Sequence, residues 1–86
     1  MPEISRFYGI VIKMFYEDHN PPHFHAIYGD LEVLVAINTF AVLAGDVSPR
    51  ALGLVIEWAT LHQNELLVNW ERAQGLEPLF KIDPLS

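Results

Sequence analysis

Eighty-six residues with a net charge of −6, 51% hydrophobic and 19% charged, describe one globular domain with one modest core rather than a disordered chain. The lack of cysteine excludes a disulfide framework and any thiolate metal site. Arg6, Lys13, Arg50, Arg72 and Lys81 are spread along the chain, so the clustered cations that grip a phosphate backbone are missing and nucleic-acid binding by this chain alone is not expected.

Glu3 and Arg6 interrupt any apolar leader at the N-terminus. The uncharged run 33–45 falls short of the roughly 20 residues a membrane span needs. A cytoplasmic protein with no membrane contact is the expectation. The apolar share is high for so small a domain, so part of the surface is expected to meet a protein partner or a second copy of the chain.

Residues 4–16 read as a first strand, rich in Ile, Val, Phe and Tyr. Ile10, Ile12 and Met14 fall on one face, with Val11, Lys13 and Phe15 on the other. Gly9 marks a bulge or a close backbone approach. Residues 17–22 form a loop that Pro21 and Pro22 stiffen. Alternation predicts a second strand over 23–28, with His23, His25 and Ile27 on a shared face. Gly29-Asp30 then suits a type II′ hairpin turn. A third strand covers 31–37, Asn38-Thr39 makes a tight turn, and a fourth strand covers 40–44. Ser48 can cap a helix that has Pro49 at its first position.

The series Leu52, Val55, Ala59, His62, Leu66, Trp70, Ala73 keeps helical spacing up to Gly75. An unbroken helix there has about 26 residues and is roughly 39 Å long. That exceeds the width of a small sheet, so the helix either bends near residues 62–64 or overhangs and meets a partner. Residues 79–82, between Pro78 and Pro84, read as a final edge strand. The predicted fold class is α+β: a small antiparallel β-meander sheet packed against one long C-terminal helix, with a short final edge strand, in a single domain 1–86.

The stretch Asp18-His19-Asn20-Pro21-Pro22-His23-Phe24-His25 holds three of the four histidines. His23 and His25, two apart on a strand, leave the same face about 6.6–6.8 Å apart along the backbone. Two imidazoles can converge on one ion from that spacing. His19 from the loop offers a third metal ligand, and Asp18 an oxygen ligand or a base. Zinc or another first-row divalent ion accepts such a set and keeps a position for water. Glu57 and His62 on the helix are the further catalytic candidates. Two other readings of the cluster stay open: a metal-free ligand or catalytic site, and histidines that only hold the loop in shape through hydrogen bonds. Arg6 can bind a carboxylate or phosphate, or pair with an acid of this acidic chain. Trp70, beyond the expected edge of the sheet, is the candidate for partner contact.

Ile4-Ser5-Arg6-Phe7-Tyr8-Gly9-Ile10, the stretch Asp18 to Ala26, and the later Glu57-Trp58-Ala59, His62, Glu65-Leu66 and Asn69-Trp70 together resemble a family of small, mostly bacterial proteins catalogued as a domain of unknown function. The resemblance runs to about Pro84. It brings no activity. It does imply a neighbouring gene for another small protein, in an arrangement similar to a toxin–antitoxin or regulatory pair. Where the family's helix tends to carry basic residues, this chain has Gly53 and Asn64. Two functions are therefore weighed. One is an interaction module of a two-gene pair, with the histidine loop and helix as its recognition surface. The other is a small metal-dependent hydrolase or nuclease built on His19, His23 and His25.

Overall fold

Period-two alternation of apolar residues builds a five-stranded antiparallel sheet in the computed structural model, which describes residues 3–86. The strands are β1 (Glu3–Phe7), β2 (Ile10–Lys13), β3 (His23–Tyr28), β4 (Leu31–Ala36) and β5 (Val42–Gly45). They lie in the sheet in chain order, each antiparallel to the next. Two helices follow, α1 (Pro49–Leu61) and α2 (Gln63–Gln74). Ile10, Ile12, Phe24, Ala26, Val33 and Val35 are buried. Against them α1 lays Trp58, whose ring sits 5.4 Å from Phe7 and 5.9 Å from Phe24. Leu66, Trp70 and Ala73 of α2 join the same core. Fully burying a side chain of this kind contributes roughly 1.5–3 kcal/mol.

The architecture corrects the expected fold at four places. The first predicted strand is a hairpin, because Tyr8 and Gly9 both take positive φ, 50° and 80°. Two such residues in a row form the type I′ turn that matches strand twist. The link from β4 to β5 is longer than a two-residue turn, and β5 begins only at Val42. Thr39 Oγ1 accepts from the Ala41 amide there, and the Ala36 amide donates to Ala41 O.

The third correction is the helix. There is no single long C-terminal helix: the chain breaks at His62, where φ is −125° and ψ 25°. The longest dimension of the molecule is 33 Å, and a straight helix of about 39 Å would project beyond it. Breaking there lets Gln63 donate to Ile37 O at 2.9 Å, which pins the start of α2 to the residue that follows β4. Fourth, residues 79–82 form no strand. One backbone bond reaches β1, from Ile82 N to Ile4 O at 2.8 Å. The other polar groups of this segment go to side chains. Asn69 bonds both N and O of Phe80 at 2.9 Å, and Trp58 Nε1 donates to Asp83 O at 2.8 Å. No helix among the described residues is long and apolar enough to cross a membrane.

Candidate metal centre

The loop 17–22 is tied to the body at both ends. The Glu17 amide donates to Ala73 O at 3.4 Å, and Gln74 Nε2 donates to Asp18 O at 3.2 Å. At the far end Pro22 O accepts from Ile37 N at 2.9 Å. The Asn20–Pro21 peptide is cis. This arrangement carries the Asp18 carboxylate to the start of β3, where His23 is buried and His25 nearly so.

Asp18 Oδ2 lies 3.0 Å from His23 Nε2 and 3.2 Å from His25 Nε2. One ligand atom from each of the three residues lies within 4.8 Å of the others. Bonds of 2.0–2.1 Å around a tetrahedral ion separate its ligand atoms by about 3.3 Å, so small shifts suffice to seat one. The rings are wedged in place. Phe15 meets His25 edge-on at 4.5 Å, His23 and His25 are 5.3 Å apart, and Trp70 lies 5.3 Å from His23.

The outer nitrogens decide the chemistry of the inner ones. His23 Nδ1 is 2.8 Å from Pro21 O, and a carbonyl only accepts, so this Nδ1 carries a proton. His25 Nδ1 is 2.8 Å from Glu32 Oε2 and donates to that carboxylate in the same way. In the neutral ring each Nε2 then presents a lone pair to a carboxylate oxygen. Two acceptors at 3.0 Å repel unless a proton or a cation lies between them. A carbonyl or carboxylate holding the second nitrogen is also the usual outer arrangement around a metal-bound histidine.

Partial burial pushes the Asp18 carboxyl up. The His19 amide, the His25 hydrogen bond and the charges of His23 and His25 outweigh it and hold the group below its ordinary value. His19 supplies that amide, 2.9 Å from Asp18 Oδ1, while the residue itself is exposed and outside the three-residue group. Glu57 is exposed on α1, and His62 pairs with Glu65 at 2.6 Å beside Trp58. Neither joins the group. Arg6 is exposed and grips Glu3 through two bonds of 2.8 and 3.1 Å. Trp70 is buried against His23.

Glu32 is the residue that reading the sequence passes over. The two-residue turn at Gly29-Asp30 pairs Ile27 with Glu32 and His25 with Leu34. Glu32 therefore shares the face of His25, diagonally across the hairpin, within reach of a long side chain.

No curated protein and no solved structure shows significant similarity to the chain. Residues 9–71, well over half of the chain, match one family and include the whole of the Asp18, His23, His25 and Glu32 arrangement. The chain belongs to that family, described as a domain of unknown function (DUF4160).

Proposed function

We propose that the protein binds a divalent first-row metal ion such as zinc, held by Asp18 Oδ2, His23 Nε2 and His25 Nε2 with water completing the shell. One observation carries this reading: both imidazoles are committed as donors at Nδ1, so three electron-rich atoms converge on one point. Three protein ligands leave a position for water, and an ion so held turns that water into a nucleophile for hydrolysis. Glu32 orients His25 and raises its basicity from outside the shell.

The test uses tag-free, chelator-treated protein titrated with zinc and with manganese. Binding at one ion per chain is expected, with release of any proton that lies between Asp18 Oδ2 and the Nε2 atoms in the metal-free protein. Saturation at one hundred times the dissociation constant should stabilise the fold by about 2.7 kcal/mol. Glu32→Gln should weaken the ion's affinity by roughly 10–100-fold while leaving the metal-free fold intact. Sub-stoichiometric metal together with an unmoved melting curve would retire the proposal.

A second reading is favoured by β5. Its four residues are all exposed, and the run 39–45 carries no charge and no proline. On this reading the domain is the interaction module of a cytoplasmic two-gene regulatory or toxin–antitoxin-like pair. A protein encoded nearby, or a second copy of the chain, adds a strand to the β5 edge. Sedimentation of the wild type against Val42→Lys tests it.

A further inference from the structure

At the end of β3 opposite the histidines, the Tyr8-Gly9 turn and the Tyr28 end of β3 come close to the first turn of α1. Between them lies a cavity of about 300 Å³, with Ile10, Ala51 and Leu54 as its apolar lining and Tyr8, Tyr28 and Arg50 among its polar groups. A second hollow of about 250 Å³ shares Tyr8, Arg50 and Leu54 with it and has Glu57 in its lining, whereas Glu57 does not line the first. The first volume is at the lower end of the range for small-molecule sites.

Two observations point to an anionic occupant, and a third shows how the aromatic walls are held. The chain has eleven acidic and five basic side chains, yet no acidic residue lines this cavity and one arginine does. Arg50 makes no ion pair and neither phenol makes a hydrogen bond among the described residues, so strong donors face the space without internal partners. Tyr8 takes a left-handed conformation at φ 50°, uncommon for an aromatic residue, and this sets its ring at the rim. Tyr28 packs so closely over Gly9 that a Cβ there would lie 3.3 Å from its Cε1. Both aromatic walls are thereby fixed by the same turn.

We propose that this cavity binds a small carboxylate with an apolar body. The planar guanidinium of Arg50 matches the two oxygens of a carboxylate. The tyrosine hydroxyls add donors, and Ile10, Ala51 and Leu54 take the hydrocarbon part. The site is separate from the metal centre and does not depend on it.

The experiment follows backbone amide signals of the full chain by NMR during titration with benzoate and isovalerate, with benzamide as a neutral match for benzoate. Saturable shifts at residues 8–10, 28 and 50–54 are expected at millimolar carboxylate. Arg50→Gln, at an exposed position, should keep the fold and weaken binding about tenfold or more, the loss expected for one charged hydrogen-bonded contact. Tyr8→Phe and Tyr28→Phe should weaken it less. The proposal is overturned if neither carboxylate gives saturable shifts there, if benzamide binds as well as benzoate, or if Arg50→Gln binds unchanged while its melting curve matches the wild type.

Discussion

The Asp18 carboxylate takes one bond from the His19 amide and faces Nε2 of two imidazoles, and its ionised form accepts both from that amide and from an Nε2 that carries a proton. These contacts outweigh partial burial and depress its folded value, so the sign of its linkage to folding is set. A carboxyl depressed in the folded state stabilises the fold above the ordinary carboxylate value of about 4. That contribution disappears as pH falls through the depressed value. For metal-free protein, urea unfolding of the wild type and Asp18→Asn should differ by a constant amount near neutrality. The difference should shrink with acid below about pH 4. A gap that persists undiminished to the lowest pH at which both fold would contradict this account. Much of this residue-level arrangement can be read from spacing alone. The strand period puts His23 and His25 on one face, and the Gly29-Asp30 turn fixes Glu32 beside His25. Spacing does not show that Pro21 O takes His23 Nδ1, because that depends on the path of the loop.

Turns and breaks, rather than strand interiors, separate the observed elements from the expected ones. The residues of β3 were legible because apolar alternation and a two-residue turn bound them on one side and a diproline loop on the other. The Tyr8-Gly9 turn was hidden because an aromatic residue in a strand-like run rarely takes positive φ. The His62 break was hidden because helical spacing continues through it: Ala59, His62, Leu66 and Trp70 keep their interval on both sides. The limit is set by the size of the sheet, a property of the whole fold.

Two glycines test the local account with opposite signs. Gly45 ends β5 at φ 79°, and a Cβ there would lie 2.1 Å from Glu32 O. Gly45→Ala should destabilise the protein, by about 1–3 kcal/mol from backbone strain with the clash in addition. Gly53 lies inside α1 with nothing within 4 Å of the added Cβ. Gly53→Ala should stabilise by roughly 0.5–1 kcal/mol. Urea melts of the two variants measure both, and equal signs would refute the geometry.

At the scale of the molecule, the two margins of the sheet are treated differently. The β1 edge receives the C-terminal segment through Ile82 N to Ile4 O, and Pro78 and Pro84 flank that segment. Among the described residues the β5 edge has no such cover, and Val42 and Leu43 stand 46% and 43% exposed. Proteins ordinarily guard an open edge with charge, proline, a bulge or an overlying element, because unpaired backbone groups template further strands. Here a register shift between Leu34 and Val35 bends the ladder, but no charge lies between Thr39 and Gly45. The chain's net charge of −6 keeps copies apart at long range, while this strip offers backbone pairing with no like charges to oppose it.

Val42→Lys separates edge pairing from mere hydrophobic exposure. The position is exposed, so the fold should survive with a melting curve close to wild type, whereas an added strand would have to accept an ammonium group on the pairing edge. If β5 is an interface, the untagged wild type should sediment as an assembly that dissociates on dilution, or should capture a specific protein from native extract. The lysine variant should do neither. A wild type that stays monomeric at all concentrations, and that captures nothing the variant does not also capture, would leave β5 as an open edge without a partner. The case for an interaction module would then fall, and the metal reading would remain as the proposed function of the domain.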